Sequence, residues 1–195
     1  MPRSYLPSKG ASQRNAALDF LIEQPNLNKS AAVFFADDDN TFRPELFQRF
    51  TKISRENFVG VVPVGGAGKS DVEGPLCRNR TIKKFVTNWG NARFFAGDMA
   101  GFAIKLERFF DARVRFEGKV HGHLETEIVS KAIVKDVDGY DFETLTELSY
   151  RSYESKERRK FYKFMDCLED KEILAWHTRT QPFELFKVHE GLFDV

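Results

Sequence analysis

The sequence predicts an α/β fold, in which short buried strands alternate with helices. Short apolar runs recur along the chain, and segments with helical periodicity or charged composition separate them. The 195 residues are 42% hydrophobic and 30% charged, which is typical of a globular chain, and this length suits one domain. We therefore expect a single α/β domain over residues 1–195.

The first predicted element is a helix over residues 12–23. Ser12 is suited to cap its N-terminus, and Pro25 follows its end, where a proline stops helical hydrogen bonding. Three apolar side chains with helical spacing are expected to share its buried face: Ala17, Leu18 and Leu21.

Four apolar runs are expected to be buried strands: residues 31–36, 58–64, 100–104 and 172–176. A short helix over 44–53 should follow the first strand, because Pro44 and Glu45 suit a first helical turn. Ligands of open α/β sheets bind beyond the carboxyl ends of the strands. Two polar clusters follow such ends, the aspartates at 37–39 and the tripeptide at 177–179.

A charged stretch over residues 136–170 is predicted to contain a solvated helix. Four apolar residues are expected to pack it onto the domain: Leu145, Leu148, Phe161 and Phe164.

Charge composition narrows the classes of partner. Lys and Arg total 30 and Asp and Glu total 29, so the net charge is +1, and no overall charge attracts nucleic acid or an anionic membrane.

The two cysteines, Cys77 and Cys167, allow one disulfide at most, and their spacing leaves open whether it forms. Asn28 and Asn79 begin glycosylation sequons.

Three interpretations of the aspartates at 37–39 compete. A solvated turn would place acids before the next helix. A calcium loop of the EF-hand type fails, because its sixth position requires glycine and is occupied here by Phe42. The third interpretation is a divalent-metal site for a phosphate, since clustered carboxylates suit hard cations such as Mg²⁺ or Mn²⁺.

The third interpretation covers two kinds of enzyme. Asp37-x-Asp39-x-Thr41 resembles the first motif of haloacid-dehalogenase-type phosphatases, in which Asp37 would be the nucleophile and Asp39 the acid/base. Gly97-Asp98 resembles the start of that family's last motif, but Phe102 stands where a further acid is expected.

A second resemblance covers most of the chain. Four motifs occur in the order that the β-1,3-glucuronosyltransferases of glycosyltransferase family 43 show: "FADDDNTF" (35–42), "GDMAGFAI" (97–104), "GHLETEIV" (122–129) and "WHTRT" (176–180). Shorter matches agree: "QRNAAL" (13–18), "VEGP" (72–75), and Trp89 with Arg93 before Asp98. Together the matches run from about Lys9 to Pro182. Over this range the chain resembles members of glycosyltransferase family 43.

The resemblance implies a fold and a reaction. The fold is a nucleotide-sugar-binding mixed sheet of the GT-A type, flanked by helices. The reaction is Mn²⁺-dependent transfer of glucuronic acid from UDP-glucuronate to a terminal galactose, with inversion. Residues 1–42 would belong to the donor-binding half, and residues 43–195 to the acceptor-binding and catalytic half.

The resemblance also assigns roles to individual residues. Glu125 is the implied catalytic base, with Glu127 as the neighbouring alternative, and Asp39 is the implied metal ligand. The implied donor contacts are Lys9, Arg14, Asp37, Asp38, Asp39, His177, Thr178 and Arg179. The implied acceptor contacts are Glu73, Trp89, Arg93 and Asp98.

Several features depart from the family pattern. The first strands of the family, which grip uracil, are expected to be missing from this chain. His121 stands where an arginine would bind the donor carboxylate, and Lys9 stands where arginine is usual.

The family also implies a Golgi membrane protein acting in the lumen as a homodimer. The alternative function is a silent or truncated relative that binds a glycan or a partner protein without turnover.

Overall fold

A computed structural model describes residues 10–67, 70–88, 95–118, 124–137, 139, 155–169 and 171–178. Its helices are α1 (Ala11–Ile22), α2 (Glu45–Phe50), α3 (Leu124–Ile133) and α4 (Ser155–Tyr162). Its strands are β1 (Ala32–Phe34), β2 (Asn40–Phe42), β3 (Val59–Val61), β4 (Val64–Gly65), β5 (Val72–Arg78), β6 (Thr81–Val86), β7 (Phe102–Lys105), β8 (Met165–Cys167) and β9 (Ala175–His177). Within these ranges, no helix is long and apolar enough to cross a membrane.

The strands form two mixed sheets. The four-stranded sheet has the order β1-β7-β3-β8, and the five-stranded sheet has the order β2-β9-β4-β5-β6. The β3–β8 and β4–β9 pairs are parallel, and the other pairs are antiparallel. The prediction of mixed sheet flanked by helices is confirmed.

The predicted strand over 58–64 is two strands, β3 and β4, in different sheets. The chain changes sheet at Val62 and Pro63. Proline has no backbone N–H to donate to a sheet ladder, so it favours a break at this point. The Val62 N–H donates instead to the Gly101 carbonyl, at 2.9 Å. Because of this change of sheet, one apolar run contributes a strand to each of the two sheets.

Aromatic side chains fill the core between the elements. Phe95, Phe102, Phe109 and Phe161 are fully buried, and the rings of Phe95 and Phe102 meet edge to face with centroids 5.3 Å apart. The expected burial of Phe161 is therefore confirmed, and Phe164 packs partly buried against the same cluster. The expected contacts of Leu145 and Leu148 lie outside the described residues.

Helix α1 forms as predicted, but its N-terminus and buried face differ from the prediction. It begins at Ala11, after Gly10, whose φ of 82° turns the chain in the left-handed region that glycine adopts at little cost. Ser12 lies inside the helix and is exposed, so it is not the cap. Ala17 is exposed as well, because Ala11 and Leu18 make the buried contacts.

The hairpin of β5 and β6 is absent from the sequence prediction. Its turn places Asn79 at φ 51° and Arg80 at φ 61°, as a two-residue turn of type I′ requires. This turn lacks the usual Asn-Gly signal.

A disulfide between Cys77 and Cys167 joins the hairpin to β8. The sequence had left open whether these two cysteines pair.

Candidate active site

Pairing of β2 with β9 brings the two polar clusters together. Asn40 lies opposite His177 in the antiparallel register, so the loop of aspartates ends beside the residues that follow β9. The Thr178 N–H donates to the Asp39 carbonyl at 2.7 Å, and the hydroxyls of Thr41 and Thr178 lie 2.8 Å apart. Sequence positions almost 140 residues apart therefore form one surface.

His177 lies between two carboxylates. Its Nε2 is 3.3 Å from an oxygen of Asp39, and its Nδ1 is 3.7 Å from an oxygen of Asp98. The Nδ1 atom is buried and makes no hydrogen bond with any residue that the structure describes. Nε2, beside the half-exposed Asp39, is therefore the ring nitrogen placed to donate to an anionic group that enters the site.

Asp98 reaches the site from a short 3-10 helix, Met99–Gly101, which it caps. Its carboxylate accepts a hydrogen bond from the Ala100 N–H at 2.9 Å. Burial raises the pKa of Asp98, and the negative charges of Asp37 and Asp39 raise it further. The Ala100 hydrogen bond and His177 act in the opposite direction. The site thus holds a carboxyl group whose ionised form is disfavoured by its surroundings.

Arg14 connects helix α1 to the aspartates. Its guanidinium forms an ion pair with Asp37 and lies 5.9 Å from the centre of the Phe116 ring. The predicted contacts Arg14 and Asp37 are therefore adjacent, and the cation offsets part of the acidic charge of the loop. Asp38 and Asp39 are exposed, and the Asp39 side chain keeps half of its surface accessible.

Glu73 lies on β5, opposite Val64 of β4, and is 4% exposed. Its carboxylate accepts a hydrogen bond from the Thr87 hydroxyl, just after β6. Since β4 and β9 are neighbours, Glu73 belongs to the sheet that carries His177. Sequence reasoning did not find Thr87, because only the hairpin pairing brings it to Glu73.

Helix α3 carries both candidates for the catalytic base, and the two differ in exposure. Glu125 lies in its first turn and is half-buried, whereas Glu127 is 2% exposed. Glu127 accepts hydrogen bonds from the Gly118 N–H at 2.9 Å and from the Lys131 ammonium at 3.0 Å. These bonds hold Glu127 inside the protein, whereas Glu125 keeps part of its surface exposed, and the choice of Glu125 as the base stays a prediction.

Comparison with known proteins identifies the family of the chain. The model of glycosyltransferase family 43 matches residues 1–181. The chain belongs to glycosyltransferase family 43.

Curated relatives of this family 43 chain are named galactosylgalactosylxylosylprotein 3-beta-glucuronosyltransferases. Form I of Drosophila melanogaster is 33% identical over 186 residues, which cover 93% of this chain and 52% of the relative. Form 3 of Homo sapiens is 33% identical, with 91% and 48% covered. Form 2 of Mus musculus is 32% identical, with 94% and 49% covered. The chain spans about half the length of these relatives.

Five residues of the predicted family 43 site lie outside the described residues, so their roles stay predictions: Lys9, Trp89, Arg93, His121 and Arg179. The structure adds Asn40, which the sequence analysis did not single out. Both polar atoms of its side-chain amide are buried and have no hydrogen-bond partner in the described part of the chain. Its place directly after the aspartates was a signal, but its alignment with His177 depends on the β2–β9 register.

The carboxylate ligands of the site fit a divalent cation that is also coordinated by a bound phosphate. Across the described ranges, no group of three or more His, Cys, Asp or Glu side chains is arranged to hold a metal by itself. Cations of the Mg²⁺ class are commonly held by one or two carboxylates together with substrate phosphates. The half-exposed carboxylate of Asp39 meets that requirement, since its oxygens remain accessible from solvent.

Proposed function

We propose that this family 43 chain transfers glucuronic acid from UDP-glucuronate to a terminal galactose of a proteoglycan linker or glycoprotein glycan, forming a β-1,3 bond. The observation that supports it most strongly is the cluster of Asp37, Asp39, Asp98 and His177 at one sheet edge. The curated relatives are named as 3-beta-glucuronosyltransferases of a galactosylgalactosylxylosylprotein, which supports this proposal.

On the donor side, Asp39 would hold the Mn²⁺ ion, which supplies positive charge to offset the diphosphate of UDP. His177 would donate a hydrogen bond to a diphosphate oxygen, with Arg179 as a second donor. Asp37 and Asp38 would contact the ribose and phosphate side. The ion pair of Arg14 with Asp37 orients that carboxylate before the donor binds.

On the acceptor side, Glu73 and Asp98 would accept hydrogen bonds from galactose hydroxyls, with Trp89 and Arg93 beside them. Glu125 would take the proton from the attacking hydroxyl. The new bond forms between that oxygen and the anomeric carbon, while the bond to UDP breaks and its electron pair leaves with the diphosphate. A single displacement inverts the configuration, so an α-linked donor gives a β-linked product.

Three further proposals accompany this function. We propose that residues 1–42 serve the donor and residues 43–195 serve the acceptor and catalysis. We also propose that the protein acts as a homodimer on the lumenal side of the Golgi membrane. The disulfide between Cys77 and Cys167 supports a lumenal setting, since disulfides persist in oxidising compartments.

Calorimetric titration of UDP, with and without Mn²⁺, tests the donor site directly. We expect binding that requires Mn²⁺, and we expect Asp39→Ala to abolish it. The matched control is Glu107→Ala, which removes an exposed carboxylate on another part of the fold. Undiminished Mn²⁺-dependent binding by Asp39→Ala would exclude Asp39 as the ligand. A folded wild-type chain that binds no UDP would favour the silent relative.

A further inference from the structure

A basic groove lies between strand β6 and helix α4. It is lined by Thr81, Ile82, Lys83, Arg159, Tyr162 and Lys163 and has a volume of about 310 Å³. A second cavity of about 310 Å³ adjoins it and shares Thr81, Tyr162 and Lys163. Both cavities lie beside the hairpin of β5 and β6, since Thr81 lines each of them.

Three cations, and no carboxylate, are among the described residues that line the basic groove. Lys83, Arg159 and Lys163 are exposed, and none of them forms an ion pair with a residue that the structure describes. The whole chain carries a net charge of only +1, so this excess is local. Like charges that share a small cavity repel one another, and a bound anion would relieve that repulsion.

Two carboxylates line the adjoining cavity, Glu56 and Asp166, and neither of them lines the basic groove itself. Asp166 is buried, and it accepts hydrogen bonds from the Ser54 N–H at 2.5 Å and from the Asn57 amide at 2.8 Å. The Arg80 guanidinium lies 3.7 Å from Asp166 and donates to the Lys52 carbonyl. Asp166 is therefore engaged by its own neighbours and by Arg80, and in the described structure it forms no ion pair with Lys83, Arg159 or Lys163.

The basic groove is separate from the candidate active site. Strand β6 is at one edge of the five-stranded sheet, three strands along from β9, which carries His177. Neighbouring strands lie about 4.8 Å apart, so the separation across the sheet is about 14 Å. A ligand in the groove would therefore not compete with UDP for Asp39 or His177.

We propose that the basic groove binds a sulfate ester group of a glycan chain. Sulfate esters stay charged at neutral pH, and their oxygens match the guanidinium fork of Arg159 and the ammonium groups of the two lysines. The cavity volume is at the lower limit of small-molecule pockets, which suits one or two sugar units. Nucleic acid is disfavoured, because its affinity depends on many phosphate contacts along an extended basic face.

The test measures binding of a size-defined heparin-derived oligosaccharide to the full chain, without donor or Mn²⁺. We expect saturable binding that weakens as the salt concentration rises from about 0.05 to 0.3 M, because the Debye length shortens. The double variant Lys83→Glu/Lys163→Glu should lose at least about tenfold in affinity. The matched control, Lys29→Glu/Lys171→Glu, makes the same change in net charge at exposed positions outside the groove and should keep wild-type affinity.

Two comparison ligands identify the chemistry. Hyaluronan, which carries carboxylates only, should bind weakly, and inorganic polyphosphate should bind less tightly than the sulfated oligosaccharide. Equal losses in the groove and control variants would overturn the proposal in favour of diffuse electrostatic attraction. Equal affinity for polyphosphate would overturn the assignment to a glycan. Because neither readout involves UDP, failure of the proposed transferase function would leave this result unaffected.

Discussion

At the scale of single residues, His177 connects parts of the site that are distant in the sequence. It lies within 3.3 Å of Asp39 and 3.7 Å of Asp98, so one imidazole faces the donor aspartates and an acceptor candidate together. The consequence is electrostatic coupling between Asp39 and Asp98 through His177. A change of charge at Asp98 alters the field at His177, and through it the donor site.

The raised pKa of Asp98 gives a prediction for stability. A raised pKa means that the native state disfavours the ionised carboxylate, a cost that is complete above the native pKa and disappears as pH falls below it. We expect Asp98→Asn to raise the melting temperature at pH 7, because it removes that buried charge and keeps an acceptor for the Ala100 N–H. The advantage over wild type should shrink as pH is lowered in thermal melts. An advantage that grows in acid would contradict the assigned direction.

Glu125 and Glu127 are distinguished by a matched pair of substitutions. Glu125→Gln should keep Mn²⁺-dependent UDP binding and lose turnover by about 10²–10⁴-fold, because a general base is removed. Glu127→Gln should lower the melting temperature, because it weakens the buried pair with Lys131, and should keep turnover. Single-turnover assays and thermal melts separate the two effects. Lost turnover in Glu127→Gln alone would place the base there instead.

At the scale of elements, the position of β9 depends on close approach by β4. A Cβ atom at Gly65 would lie 2.6 Å from Cδ1 of Trp176, next to His177. We expect Gly65→Ala to displace Trp176, lower the melting temperature and weaken UDP binding. Gly60→Ala, in β3 of the four-stranded sheet, is the control, since its Cβ would meet the side chains of Leu168 and Ile53. The control should lose stability without losing UDP affinity; equal affinity losses would show that both act through global destabilisation.

Local patterns predicted several elements but not their assignment to sheets, and β2, β8 and α3 were not predicted. The helix after Pro44 and the strand before Asp37 appear where the sequence indicates them, because proline and apolar runs act locally. The hairpin of β5 and β6 was not predicted, since its turn residues, Asn79 and Arg80, adopt positive φ without glycine. The split at Pro63 was missed because a continuous apolar run is compatible with one strand or two.

At the scale of the whole molecule, the sequence singled out residues that the structure brings together, but it did not predict their geometry. The ordered motifs identified Asp39, Glu125 and His177 by resemblance. The contacts between Asp39 and His177 depend on pairing of β2 with β9, over a separation that no local pattern encodes. The ion pair of Arg14 with Asp37 likewise requires α1 to lie beside the loop of aspartates.

The disulfide provides a prediction for the molecule as a whole, because it joins the two sheets. Cys77 lies on β5 of the five-stranded sheet, Cys167 lies on β8 of the four-stranded sheet, and 90 positions separate them. Closing so long a loop restricts the unfolded chain, and loss of such a bond typically costs about 2–5 kcal/mol. Cys77→Ala/Cys167→Ala should therefore unfold at a lower denaturant concentration than wild type.

Reductant distinguishes loss of the bond from loss of packing. Wild-type protein should become less stable when reduced, towards the stability of the double variant, whereas the variant should not respond. UDP binding at low temperature should survive in both, because neither cysteine contacts Asp39 or His177 in the described structure. A wild-type protein whose unfolding is insensitive to reductant would contradict a stabilising bridge. A reduced protein that stays folded but binds UDP more weakly would mean that the bridge also holds the two sheets in the arrangement that the site requires.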